Sequence, residues 1–177
     1  MTSLEIFKIL RPILMTVTGV PECIMADPNA QAPLGPYASV RVRQGIRERG
    51  QANVRITDVP ATRQVRYDVR AQIICDVSVD FYRGAAMEYA EKLKECHKRP
   101  DVPWILMRAG LGWGGTDAVN NLTALQSGNF EQRAQITVRL YYEAVDIVDV
   151  NNIERVAAVV EDEKARTIQS VDVNLSS

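Results

Sequence analysis

Residues Val65–Phe81 read VRYDVRAQIICDVSVDF, and every odd position in them is apolar or aromatic: Val65, Tyr67, Val69, Ala71, Ile73, Cys75, Val77, Val79 and Phe81. The even positions Arg66, Asp68, Arg70, Gln72, Asp76, Ser78 and Asp80 are polar, and Ile74 is the exception. Successive side chains of an extended chain point to opposite faces, so this period of two predicts a strand with one buried face. A parallel strand buried on both faces would read as an unbroken apolar run. The same alternation returns in Phe130, Ala134, Ile136, Val138, Leu140, Tyr142 and Ala144, with Glu131, Arg133, Gln135, Thr137, Arg139 and Glu143 on the other face. The two stretches are natural antiparallel partners.

On either side of these strands the period changes. Ala86, Tyr89, Ala90, Leu93 and His97 share one side of a helix expected to start near Gly84 and stop before Pro100, placed to cover the apolar sheet face. Its other side, Glu88, Glu91, Lys92, Lys94, Glu95 and Lys98, reads as a solvated face. Near the start, Thr2 and Glu5 have the spacing of a capping box, and Leu4, Phe7, Leu10, Leu14 and Val17 recur at helical intervals. Pro12 is expected to kink this first helix, which Gly19 and Pro21 end. Pro21, Pro28, Pro33, Gly35 and Pro36 make the next stretch an extended crossing, followed by a short strand over Tyr37–Val42. After the second long strand, Asn151 and Asn152 read as a turn and Ile153–Val160 as a returning strand. A charged patch follows at Glu161–Arg166, with residues 161–177 set apart as a C-terminal extension. The expected fold is α+β, a single domain over residues 1–177 with a mainly antiparallel, mixed sheet of long strands packed against two helices.

A chain of 177 residues is long enough to close one core. With 46% hydrophobic and 24% charged residues it has the balance of a globular protein. Lys and Arg number 21 against 22 Asp and Glu, so no excess of positive charge is available to neutralise a phosphate backbone. Specific nucleic-acid binding is therefore not expected. Cys23, Cys75 and Cys96 are scattered with no CxxC pair, and His97 is the one histidine, so neither structural zinc nor another metal site is expected. Their odd number fits a reducing cytoplasm, where Cys75 and Cys96 serve as small apolar residues. Glu5, Lys8, Arg11 and Pro12 interrupt the apolar start, which leaves no signal-peptide core and no membrane anchor to expect.

Several groupings invite a chemical reading. Gly110, Gly112 and Gly115 satisfy the letter of a GxGxxG dinucleotide fingerprint after Trp104–Met107, apolar enough to be a strand. That fingerprint works only in a parallel strand–turn–helix unit, and no P-loop lysine follows, so a glycine loop near a subunit contact is the preferred reading. Asp76 and Asp80 share a strand face but lie four residues apart, roughly 13 Å along an extended chain, too far to share a proton or a cation. Arg66, Asp68 and Arg70 suit cross-strand pairing or contact with a neighbour. Cys96 points around the helix away from His97, and Cys75 faces the apolar side, so no cysteine–histidine dyad is expected. Trp104, Trp113, Tyr141 and Tyr142 read as core or interface aromatics. No catalytic residue or cofactor is expected.

Three short motifs carry a family resemblance: DPNAQAPLGPYASVRV at Asp27–Val42, VSVDFYRGAAMEYA at Val77–Ala90 and EQRAQITVRL at Glu131–Leu140. In that order they resemble the proline-rich crossing, the strand-to-helix corner and the Glu-x-Arg-Ala strand of the phage neck or tail-terminator family. The resemblance runs from the first helix to Val150, and the glycine-rich stretch departs from it. It implies a mixed sheet with helices packed on it and a structural subunit, not an enzyme. It also implies a ring, commonly a hexamer, on the head-proximal end of the tail. Its partners would be other copies of itself, the tail tube protein, head–tail connector proteins and, in a contractile tail, the sheath. DNA would pass through the ring without specific contact, and the protein would belong to the virion after assembly in the host cytoplasm. The alternatives are a tail completion or baseplate subunit of similar fold, and a nucleotide-binding enzyme built on Gly110–Gly115.

Length adds a last expectation. Seventeen residues from Val65 to Phe81 reach roughly 55 Å when straight, more than the roughly 40 Å diameter of a compact domain of this size. A bulge or a projecting arm must resolve the excess, and with no Gly or Pro in the run the arm is favoured. Val65, Arg66, Tyr67, Asp68, Val69 and Arg70, with Arg133 and Arg139 on the partner strand, are the expected subunit-contact residues.

Overall fold

The computed structural model describes residues 1–26, 31–59, 64–126, 129–151, 155–164 and 167–174. The first helix, α1 at Ser3–Thr18, starts as its sequence dictates. The Thr2 hydroxyl accepts from the Glu5 amide at 3.3 Å while the Glu5 carboxylate accepts from the Thr2 amide at 2.7 Å. Gly19 closes it with φ +79°, donating to the Met15 carbonyl at 3.0 Å. Pro12 lies inside the helix, which continues through it, and Ile6, Leu10, Ile13 and Leu14 form its buried stripe.

A short strand β1 (Cys23–Met25) pairs parallel with β2 (Tyr37–Glu48). β2 runs past the expected end at Val42 because two extra residues are accommodated between Arg41 and Gly45, opposite Ser78 and Asp76. Arg43 takes φ +59° there, a left-handed conformation that breaks the alternation by which a strand is read. β3 (Asn53–Val59) precedes the long strand β4 at Gln64–Tyr82. β4 carries Val65–Phe81 without interruption, since the register shift falls on β2.

Helix α2 (Ala86–Glu95) and a 3-10 turn at Cys96–Lys98 occupy the expected interval before Pro100. A third helix, α3 at Asp101–Arg108, then corrects two expectations: there are three helices among the described residues, not two, and Trp104–Met107 is not a strand. Val102 and Leu106, four apart, are buried while Trp104, Ile105 and Met107 stay exposed, which is a helical spacing that so short an apolar run cannot declare. Pro103 sits in the first turn, where its missing N–H leaves no bond unmade.

β5 (Leu111–Thr116) and β6 (Asn120–Asn121) both run antiparallel to β9 (Arg133–Asn151), and β7 (Ala124–Gln126) with β8 (Asn129–Glu131) forms a separate hairpin. Phe130, expected on the buried face of the second long strand, lies on β8 and is exposed. Side-chain pairs across β4 and β9 descend on one as they rise on the other, Asp80 with Arg133, Asp76 with Arg139, Arg66 with Asp149, which makes them the expected antiparallel partners. The last elements are β10 (Arg155–Glu161) and β11 (Thr167–Asn174), an antiparallel hairpin. The returning strand is therefore present, and the stretch set apart as an extension holds its partner. Of the expected turn, Asn151 is the last residue of β9, while Asn152, with Ile153 at the expected start of the returning strand, lies outside the described residues.

The chain divides into two compact units: Met1–Gln51 with Ala71–Ala144, and Ala52–Arg70 with Val145–Ser177. In the first, the sheet order β1-β2-β4-β9-β5 presents one apolar face to the helices. Cys75, Val77, Val79 and Phe81 of β4 and Ile136 and Leu140 of β9 share a core with Ile6, Leu14, Ala90, Leu93 and Leu106. In the second, β3 pairs with the leading residues of β4 in a continuous register from Asn53↔Arg70 to Val59↔Gln64.

Candidate functional site

The charged face of the first unit is a ladder of paired side chains. Asp76 accepts from Arg47 at 2.7 Å and from Arg139 at 3.2 Å, joining β2, β4 and β9. Gln135 donates to the Ser78 hydroxyl at 3.1 Å, and Arg133 donates to Asp80 at 2.9 Å. The two aspartates are thus separate anchors for arginines of the neighbouring strands. Arg133 and Arg139, expected at a subunit contact, are each committed to one of these pairs.

At one end of the ladder the three short motifs meet. The Arg133 guanidinium lies 4.9 Å from the Tyr82 ring, Tyr82 stacks on Tyr37 at 4.7 Å and 7°, and Arg83 lies 5.9 Å from the Tyr37 ring. Arg83, in a left-handed conformation at φ +64°, donates to the carbonyls of Pro33 at 2.6 Å and Leu34 at 2.7 Å and to Glu131 at 3.0 Å. Gly84 also has a positive φ, +57°, and a Cβ there would come within 2.9 Å of Pro36 Cγ. Crossing, corner and strand are therefore tied by one arginine and one aromatic stack. Asp27–Ala30, which open the first motif, lie outside the described residues.

The glycine-rich stretch is not a nucleotide loop. It follows a helix and is the antiparallel strand β5, whereas the fingerprint needs a strand followed by a helix in a parallel unit. Gly114 serves packing, since a Cβ there would stand 2.8 Å from Tyr141 Cζ and 3.0 Å from Arg139 Cγ, while Gly110 and Gly115 take φ of +73° and +106° with open space around them. The thiols are equally unsuited to nucleophilic work. Burial pushes Cys23 up to about 11 and Cys96 up to about 12, and raises Cys75 as well. His97 is exposed, with Nδ1 3.1 Å from the Lys94 carbonyl and its ring stacked at 6.0 Å on Trp113. Among the described residues no group of His, Cys, Asp or Glu is arranged to hold a metal ion, and no helix is long and apolar enough to cross a membrane.

The second unit has a different character. Register places Arg55 opposite Asp68 and Thr57 opposite Arg66 on one face of β3 and β4. On that face Arg66 grips Asp149 of β9 through two bonds of 2.7 and 2.9 Å, and Arg70 pairs with Asp68 at 3.0 Å. These bonds hold the Asp149 and Asp68 carboxyls below the usual aspartate range. The opposite face carries Val54, Ile56, Val65, Tyr67 and Val69, joined by Val148 and Val150 of β9, and it also holds Asp58, opposite Val65, and Asp146. Val54 is 49% exposed, Ile56 55%, Val148 45% and Val150 45%, and Val65, Tyr67 and Val69 are half-buried. Of the expected contact residues, Val65–Arg70 thus lie together in this unit, apolar members on one face and charged members on the other, while Arg133 and Arg139 belong to the first unit.

A family model described as phage neck terminator protein matches residues 4–164. The chain belongs to the phage neck terminator family. A search among curated proteins gave no match. The neck terminator match covers all three motifs and every element from α1 through β10, so the junction at Arg83 and the amphipathic sheet of the second unit both lie within it. The role of a neck terminator is structural, as a component of the phage particle.

Two features escaped the sequence reading. Arg83 gave no periodic signal, since its importance comes from a left-handed corner that three distant segments share. The strand expected over Ile153–Val160 is present as Arg155–Glu161, but its pairing with residues beyond the charged patch was not legible in the sequence.

Proposed function

We propose that this neck terminator assembles into a ring, a hexamer, that caps the head-proximal end of the tail tube and joins it to the head connector. The observation that carries the reading is the uncovered apolar face of the second unit in a chain whose family belongs to the phage neck. A monomer gains nothing by holding Val54, Ile56, Val148 and Val150 in water, whereas a subunit contact removes them from it. Val65, Tyr67 and Val69 form the floor of that contact, and Arg66, Asp68 and Arg70 stiffen it from the opposite face. Arg133 and Arg139 contribute by fixing the charged face of the first unit.

Above and below the ring lie connector proteins and the tail tube protein, with the sheath in a contractile tail. DNA passes through the centre without specific contact, in keeping with the balance of 21 basic and 22 acidic residues. The protein works in the virion after assembly in the host cytoplasm. Negative-stain electron microscopy of the purified chain, followed by labelling of intact particles, tests this. Rings with an open centre and label at the neck are expected; a monomer at every concentration, or label at the distal end of the tail, contradicts it.

A further inference from the structure

The β10–β11 hairpin has two unlike faces. Its register sets Val156 opposite Val173, Ala158 opposite Val171 and Val160 opposite Gln169, and directly opposed residues share a face. The other face carries Ala157 with Asp172, Val159 with Ser170 and Glu161 with Thr167. The apolar face is open: Val156 is 46% exposed, Val160 55%, Val171 43% and Val173 44%. A two-stranded hairpin is marginal in water unless its apolar face is packed against something. Among the described residues of the second unit, two apolar faces are therefore uncovered, one on the hairpin and one on the β3–β4–β9 sheet.

We propose that the hairpin of one subunit lies on the apolar sheet face of the next, so that each copy both gives and receives one contact. The inference rests on the ring reading and names the surfaces that close it. A ring is built from heterologous contacts, which need two different and complementary patches on each subunit. One patch alone would give only a two-fold pair. The two patches match in kind and in size: Val156, Ala158 and Val160 on the hairpin, and Val65, Tyr67 and Val69 on the sheet, are rows of alternate residues spanning roughly 13 Å each.

Area agrees with a contact repeated around a ring. At roughly 40 Å² for each half-exposed aliphatic side chain, the two faces hide roughly 500 Å² of apolar surface. With about 60% of an interface apolar, the whole contact is roughly 800 Å². That is small for an isolated pair, for which roughly 1,000 Å² is the usual floor, but a subunit in a closed ring makes the contact twice.

Variants with one added cysteine test the pairing, because Cys23, Cys75 and Cys96 are all buried and leave little background. Ile56→Cys and Val171→Cys chains are produced separately and together, and treated with a short bismaleimide after light scattering has recorded their assembly. Linked dimers at least roughly tenfold more abundant in the mixed assembly than in either variant alone are expected, with the mixed peptide identified by mass spectrometry. Rings that link equally well with one variant alone, or that give no mixed link, overturn the pairing and leave the ring reading standing. A chain carrying both substitutions that links within itself as a monomer also overturns the pairing. A chain that never assembles overturns the ring reading and this inference with it.

Discussion

Strand β4 passes through two surroundings without changing its pattern. Between Ile73 and Phe81 its odd positions are buried, with Cys75, Val77 and Phe81 at 0% exposure, because three helices share their core. Between Val65 and Val69 the same alternation leaves half-buried side chains beside Val54 and Ile56, which are about half exposed. The difference teaches that a period of two declares which face of a strand is apolar, and says nothing of what covers it. In the first unit the cover is α1, α2 and α3; for the second, a neighbouring copy is the cover proposed here.

The sharpest way to break this contrast is to make the same kind of truncation in both surroundings. Phe81→Ala, at a fully buried site, should cost about 3–5 kcal/mol in a denaturant titration of the chain. Tyr67→Ala, measured in dilute monomer, should cost no more than about 1 kcal/mol yet weaken assembly. Equal losses at the two sites would erase the distinction. Val65→Asp combined with Tyr67→Asp should leave circular dichroism at the parent's level while light scattering falls to monomer mass. An unfolded double variant, or one that assembles as the parent does, would show the segment to be ordinary core or plain surface.

A smaller effect is expected at the glycines. Gly114→Ala should lower stability by about 1–3 kcal/mol, since its Cβ would press on the Tyr141 ring from 2.8 Å. Gly110→Ala should cost about 1 kcal/mol because of its φ of +73°. Calorimetry checks both, and saturable NAD or ATP binding removed by either change would revive the nucleotide reading.

The smallest effect concerns Asp149, whose carboxyl the Arg66 guanidinium holds below the ordinary 3.8. A depressed folded-state value stabilises the folded chain above the unfolded value, and that contribution is lost as pH falls through the folded one. A carboxyl NMR titration should therefore find Asp149 still ionised just below 3.8, and Arg66→Gln should return it to the ordinary range. An unchanged titration in Arg66→Gln would remove that pair from the account.

Most of the fold was legible because its signals are local and periodic. The capping box at Thr2 and Glu5, the long alternations of β4 and β9, and the Ala86–Leu93 stripe each specify their own element. What stayed hidden depends on partners distant in sequence. The bulge at Arg43 shows only in the pairing with β4, α3 is shorter than a helical period needs to declare itself, and β5 is defined by its pairing with β9, with Gly114 at a register shift against the Tyr141 ring. At the candidate site, Val65–Arg70 was legible as an amphipathic row, while the Arg83 junction and the apolar hairpin face required the registers of other strands.

The most direct measurement is hydrogen–deuterium exchange on the assembled parent and on the Val65→Asp, Tyr67→Asp variant held as a monomer. Assembly is expected to add protection in Asn53–Val59, at the leading end of β4 and in Arg155–Asn174, while Ile73–Tyr82 and helices α1, α2 and α3 exchange alike in both states. Protection gained instead on the helices or on the charged face at Asp76 and Asp80, with the second unit unchanged, would contradict it.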